Sequence, residues 1–311
     1  MTLSVVVPLY NEEEVILESY TRLKEVLEAS RESYELIFVN DGSRDKTWEL
    51  ALGLAAKDPQ LKLIGFSRNF GHQTAITAGM DLASGDAVVV IDADLQDPPA
   101  VILEMVKKWR EGYDVVYGRR VKRMGETLFK KATAKAFYRG VNAMTDVDIP
   151  VDAGDFRLLD RKVVDALKSL PERNRYVRGL VSWVGFKQAA VDYVRQERFA
   201  GTTKYPLRKM LKLAGDAVTG FSYKPLKIST YLGSALAILC FLFLVFVVIQ
   251  RLFFPQTIML SGWASLTAIV LFFNGIMLMM LGIIGEYIGR IYDEAKGRPM
   301  YIVAEKVNFD N

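Results

Sequence analysis

The sequence predicts an α/β protein: a mostly parallel, doubly wound sheet followed by a two-helix transmembrane hairpin. Three observations carry this. Strand-length β-branched runs alternate with helix-period segments from Thr2 to Tyr117. The fourth such run breaks into Asp92-Ala93-Asp94-Leu95-Gln96-Asp97-Pro98-Pro99. After Lys227 the chain turns strongly apolar. Strands and helices alternating at this spacing build parallel sheets covered on both faces.

Thr2 to Val7 reads as the first strand and stops at Pro8. Glu12, Glu13 and Glu14 then open a helix whose apolar residues recur through Leu27, acids being favourable at the positive end of a helix. Tyr34 to Val39 is the second strand. It ends in Asn40-Asp41-Gly42-Ser43, residues that suit a turn and a cap for the helix expected near Lys46. Leu61 to Gly65 is the third strand, and Ser67-Arg68-Asn69-Phe70-Gly71 leads into a helix reaching Ala83. His72, the single histidine, falls at the start of that helix near the strand-end edge and reads as a polar helix-start residue, with a general-base role as the alternative. Ala87 to Ile91 is the fourth strand, and Asp114 to Tyr117 the fifth, ending in Gly118-Arg119-Arg120.

If the chain stays extended beyond Ile91, a period of two puts Asp92, Asp94 and Gln96 on one side. Three oxygen-bearing side chains suit a hard cation, Mg²⁺ or Mn²⁺, that keeps waters and phosphate oxygens in its other positions. A solvated acidic turn has the same appearance. What favours the metal is convergence: Pro8 to Glu12, Asp41, Asp92 to Gln96 and Arg119 are all expected just past strand ends, the edge where open α/β sheets bind ligands. A metal with nearby arginines suits a diphosphate, and carboxylates at the mouths of the first two strands suit a base or ribose. No Gly-x-Gly-x-x-Gly, P-loop or Gly-x-Ser-x-Gly sequence is present, which weakens dehydrogenase, P-loop NTPase and hydrolase readings.

No charge interrupts Ile228 to Gln250. The next uncharged run, Leu252 to Gly285, carries Pro255 and Gln256 early, so the spans are set at about 228–250 and 261–286; about 20 apolar residues cross a bilayer. Eight cations from Arg195 to Lys227 precede the first span, Arg290, Lys296 and Arg298 follow the second, and Arg251 alone lies between. The positive-inside rule then places both termini in the cytoplasm, at the plasma (inner) membrane. No cleavable signal is expected at the start of the chain. The lone Cys240 reads as an apolar filler of the first span. A net charge of +4, with cations near the membrane, suits anionic headgroups and not nucleic acid. The organisation expected is 1–205 a cytoplasmic α/β domain, 206–227 a juxtamembrane amphipathic segment whose helix, Pro206 to Tyr223, lies in the interface plane or else packs as a core helix, 228–290 the hairpin and 291–311 a cytoplasmic tail. The basic run from Gly118 to Arg139 reads either as a solvated helix face or as a segment that recruits a lipid phosphate at the bilayer surface. Glu286 and Arg290 are spaced to pair, and Tyr301 to Val303 is a candidate strand.

Four segments in this order resemble family 2 glycosyltransferases of the GT-A fold: Val5 to Glu13, Asn40 to Thr47, Asp92 to Pro99 and Gly154 to Leu158. With the hairpin included, the chain more closely resembles the polyprenyl-phosphate glycosyltransferases, both bactoprenol-phosphate glucosyltransferases and dolichyl-phosphate mannose synthases. The resemblance implies a Rossmann-like GT-A catalytic domain. It implies that Pro8, Tyr10, Glu12, Asp41 and Asp92 contact the nucleotide donor, with Val39 lining the base. Asp92, Asp94 and Gln96 would then hold the metal and diphosphate. Arg119 would stand near the phosphates, Arg198 near the transferred sugar and acceptor phosphate, and Asp155 at the reacting centre.

The implied reaction is metal-dependent inverting transfer of a hexose from a nucleotide diphosphate sugar, UDP-glucose favoured, to polyprenyl (undecaprenyl) phosphate. A GDP-mannose-dependent mannose synthase is the alternative, and a non-catalytic lipid-sugar transport subunit a further one. A processive polysaccharide synthase is disfavoured because no Gln-x-x-Arg-Trp sequence is present. A homo-oligomer in contact with membrane lipids is expected.

Overall fold

The computed structural model describes residues 1–122, 150, 153–173, 175–196, 222, 224–253 and 263–309. They fall into two compact units, Met1–Gly220 with Arg298–Asn311, and Phe221–Gly297.

Among the described residues the first unit is built on one eight-stranded sheet. Its strands are β1 (Thr2–Leu9), β2 (Ser33–Asn40), β3 (Leu61–Phe66), β4 (Ala87–Val90), β5 (Val115–Lys122), β6 (Ala153–Asp160), β7 (Gln188–Val194) and β8 (Val303–Val307). The spatial order is β7-β5-β6-β4-β1-β2-β3-β8. β1 pairs in parallel with β2 and β4, β2 with β3, and β5 with β7; the contacts β4–β6, β5–β6 and β3–β8 are antiparallel. This is the GT-A arrangement.

β1 is central, and every residue from Leu3 to Leu9 is buried. A strand covered on both faces needs apolar residues on both, which is why Val5-Val6-Val7 does not alternate. The helices are α1 (Ile16–Ala29), α2 (Thr47–Ala55), α3 (His72–Leu82), α4 (Val101–Arg110), α5 (Arg161–Lys168) and α6 (Val177–Trp183). α3 lies very close to β1. A Cβ added at Gly79 would meet Val6 Cγ1 at 2.1 Å, so the absence of a side chain there sets how closely α3 packs on β1.

Two strands were not foreseen. β6 enters the sheet between β4 and β5 with Asp155 and Arg157 buried inside it, and these charges break the apolar pattern by which buried strands are recognised. β7 adds to β5. β5 also runs to Lys122, so Arg119 lies within the strand and not beyond its end. The tail strand begins at Val303, at the end of the stretch proposed for it.

The second unit holds two long helices, α7 (Lys224–Phe253) and α8 (Trp263–Ala295). Lys224–Phe243 and Phe272–Ala295, of mean hydropathy 1.8 and 1.5, are long and apolar enough to cross a membrane. Glu286 and Arg290 pair at 3.3 Å. The basic run beyond Lys122 and the helix expected over 206–223 lie outside the described residues, apart from Ser222.

Candidate active site

The parallel strands β1, β2, β3 and β4 end on one edge, and their loops interlock there. Asn11, at φ +54°, donates its N–H to Ser43 Oγ and accepts from Arg44 N; the Glu12 N–H reaches Thr47 Oγ1 at 2.8 Å. Tyr10 is exposed beside them, and Pro8 is buried at the end of β1. Gly42 has φ +65°, and a Cβ there would lie 2.5 Å from the Arg68 carbonyl carbon, so the turn after β2 packs directly on the chain after β3.

Asp41 holds that second loop. Its carboxylate accepts from Phe70 N at 2.6 Å, Gly71 N at 3.0 Å and Asn69 Nδ2 at 2.9 Å. Burial raises its carboxyl above the usual range, against the pull of the Phe70 and Gly71 donors. The residue expected to meet the nucleotide thus also fixes the approach to α3. Val39 is fully buried and faces α3 at Gly79, so it contributes core packing beneath the edge.

Beyond β4 the expected alternation is present. Asp92, Asp94 and Gln96 are half-buried, while Ala93, Leu95 and Asp97 are buried. The loop is bent, with Asp94 Oδ1 accepting from Gln96 N at 3.1 Å. Leu95 sits at φ +58°, a conformation a bulky residue adopts only when its surroundings impose it.

Asp92 Oδ1 is sealed from solvent and has no hydrogen bond among the described residues. Burial first, then the charges of Asp155, Asp97 and Asp94, push its carboxyl up to about 6, against the attraction of His72. Among the described residues no three His, Cys, Asp or Glu side chains form a closed metal cage. Two carboxylates and an amide nevertheless fit a divalent cation that takes its remaining oxygens from a diphosphate and water. Asp92, Asp94 and Gln96 are the residues that would hold it.

Asp155, on β6, is 6% exposed. Arg178 grips it with both prongs, Nε to Oδ1 and Nη2 to Oδ2, each at 2.8 Å. Burial works to raise this carboxyl; Arg178 overrides it and, with help from His72, holds it well below the ordinary range. His72 Nε2 stands 3.5 Å from both Asp92 Oδ1 and Asp155 Oδ2. Burial lowers the imidazole, but the two carboxylates more than offset this and raise it to about 9. His72 is therefore part of the site and not only a helix-start residue.

The two adjacent arginines of β5 separate. Arg119 is half-exposed and pairs with Asp192 at 2.6 and 2.9 Å. Arg120 is turned inward, 3.4 Å from the buried Asp97 and 3.1 Å from Tyr193 Oη. Arg195 Nε lies 3.8 Å from the same Asp97, and the Gln196 N–H donates to Gln96 O at 2.9 Å, tying the end of β7 to the acidic loop. Arg198 lies outside the described residues. Arg178 and Arg120 were missed as site residues, and His72 was weighed for the site but set second to a helix-start reading, because the signal lies in which side chains face one another. For Arg120 it was the alternation of a strand whose register was not yet known.

An acidic loop and a buried carboxylate thus stand together on the ligand edge of the sheet. Residues 4–168 match the model of "Glycosyl transferase family 2", and the chain belongs to that family. It is 61% identical over 99% of its length, and 95% of the relative's, to an uncharacterized glycosyltransferase, YkcC, of Bacillus subtilis. It is 43% identical, over 97% of each chain, to the SfII prophage-derived bactoprenol glucosyl transferase of Shigella flexneri. Among solved structures it is similar to glucosyl-3-phosphoglycerate synthase from Mycobacterium tuberculosis, with 22% identity and a TM-score of 0.47 over 70% of this chain and 77% of that one.

Proposed function

We propose that the protein transfers a hexose, with glucose the favoured sugar, from a nucleotide diphosphate donor to a polyprenyl phosphate, with inversion at the anomeric carbon. The reading rests above all on the similarity to a bactoprenol glucosyl transferase, which extends over sheet and apolar helices alike. The acidic loop, with Asp92 Oδ1 lacking a hydrogen bond, supports it. A phosphate oxygen of the acceptor forms the new bond to the anomeric carbon. The bond from that carbon to the donor diphosphate breaks, and its electron pair leaves with the nucleoside diphosphate.

A divalent cation, Mg²⁺ or Mn²⁺, would supply charge stabilisation for the leaving diphosphate. Arg120, the arginine held beside the acidic loop, takes the role first given to Arg119: it faces the phosphates in concert with Asp92, Asp94 and Gln96. No strong base is required, since a phosphate monoester with a second pKa of about 6 is already largely ionised at neutral pH. Asp155 accordingly serves as a fixed negative charge near the sugar, where positive charge develops in the transition state. Pro8, Tyr10, Glu12 and Asp41 form the donor side, and Arg198 the acceptor side. Both termini and the catalytic unit are assigned to the cytoplasmic face of the plasma membrane, and the protein to a homo-oligomer.

The test is to incubate the purified full-length protein with polyprenyl phosphate, Mn²⁺ and radiolabelled UDP-glucose, UDP-galactose or GDP-mannose, then extract with organic solvent. Label from UDP-glucose in the organic phase, abolished by chelator, is the expected result. Label only from GDP-mannose would make the protein a mannose synthase. Label from no donor would leave a non-catalytic role.

A further inference from the structure

The reactive edge contains a chain of side chains that the proposed reaction does not by itself explain. It runs Arg178, Asp155, His72, Asp92 and draws on α6, β6, α3 and the loop after β4. Gln73 closes it. Its Nε2 donates to Asp155 Oδ2 at 3.4 Å and its Oε1 accepts from Val177 N at 3.0 Å, so one amide joins the head of α3 to the head of α6 through the carboxylate.

Arg178 is the arginine that pairs with Asp155; Arg157, two residues along β6 on the same face of the strand, is 4% exposed and donates to Gly154 O. A single contact from Arg178 would already balance the charge. What Arg178 adds is geometry: two parallel N–H bonds from a planar group define the plane and direction of the carboxylate, which a single contact does not. With Arg178 and Gln73 in place, the carboxylate stands with Oδ2 toward His72.

We propose that Arg178, assisted by Gln73, is a positioning residue for the transfer. It locks Asp155 in one orientation, so that this carboxylate and, through His72, Asp92 present a preset arrangement of charge to the sugar. This rests on the glycosyl-transfer reading above. Neither Arg178 nor Gln73 belongs to the loops assigned to the nucleotide. Preset charge contributes to the rate step and not to ground-state affinity, and a displacement of about 1 Å at a reacting centre costs on the order of 100-fold.

The experiment uses the full-length protein in detergent micelles, wild type beside Arg178→Lys, Arg178→Ala and Gln73→Met. Arg178→Lys keeps the charge and loses the fork. It is expected to lower kcat for glycolipid formation by about 10- to 100-fold with the donor KM within about twofold of wild type. Arg178→Ala is expected to fall further and to recover partly on adding guanidinium at a non-denaturing concentration. Gln73→Met, which leaves the ion pair intact, should show a smaller loss in kcat alone and carries the test should Arg178→Ala not fold. Because His72 is the only histidine, its imidazole NMR signal reports the same chain of contacts without turnover, and it should move in Arg178→Lys. Wild-type kcat in Arg178→Lys, or a raised donor KM with kcat unchanged, would overturn the proposal. An inactive wild type would remove the transfer reading, and the His72 signal would still decide whether Arg178 orients Asp155.

Discussion

His72 Nε2 lies 3.5 Å from Asp92 Oδ1. This contact joins the head of α3 to the first carboxylate of the acidic loop, and the same nitrogen reaches Asp155. The donor-side loop held by Asp41, the metal-type carboxylates and the buried acid of β6 therefore form one connected site.

Asp92→Ala and Asp94→Ala should each lower glycolipid formation by at least about 100-fold, the scale on which removing one electrostatic contributor acts in enzyme sites. Chelator should have a similar effect on the wild type, reversible by Mn²⁺. Metal titration of the two variants, read by extraction of labelled product, should show no such recovery.

The neighbouring arginines of β5 should behave differently. Arg120→Ala strips a partner from Asp97, which is 1% exposed, at a cost of about 1–3 kcal/mol for an under-satisfied buried acceptor. Its activity should fall more than about tenfold if it also faces the phosphates. Arg119→Ala removes only an exposed pair with Asp192, and both thermal midpoint and activity should stay near wild type. Denaturation curves and rates of the two variants together decide which arginine serves the site.

Acid stability should depend on Glu35. Its buried carboxylate accepts from Ser4 Oγ at 2.5 Å, Ser84 N at 2.6 Å and Lys62 Nζ at 2.7 Å. Burial alone would raise its pKa; these donors, Lys62 foremost, lower it below the ordinary 4.5. A carboxyl depressed in the folded state stabilises fully above its unfolded pKa and loses that contribution as pH falls through the folded value. Glu35→Gln should therefore be less stable than wild type by about 1–3 kcal/mol near neutrality. The two denaturation midpoints should converge as pH drops below 4.5.

Gly79→Ala should force α3 away from β1, since the new methyl would meet Val6 Cγ1 at 2.1 Å. Overpacking of this kind costs about 1–3 kcal/mol. Activity should drop as well, because His72 and Gln73 ride on the same helix. Val6→Ala in the same chain makes room for the methyl, and a double-mutant cycle should show the coupling.

Much of this molecule was legible in its residues. The first four strands, the acidic break after the fourth and the two apolar helices are local patterns, set by side-chain period, turn chemistry and the length of uncharged runs. β6 escaped because Asp155 and Arg157 occupy inward positions, and a buried strand carrying charges has no apolar signature. Arg119 was expected beyond the end of β5 and lies within it; adjacent strand residues face opposite ways, and which of Arg119 and Arg120 turns inward follows from the pairing of β5 with β6 and β7.

The sequence by itself determined the class of fold and the chemistry of the acidic loop, since both are written in neighbouring residues. Only the tertiary structure decided that Arg178 holds Asp155, that His72 links Asp155 to Asp92, and that Asp41 holds the approach to α3. These are contacts between side chains carried by different elements, and they exist only once the sheet has brought the ends of those elements together.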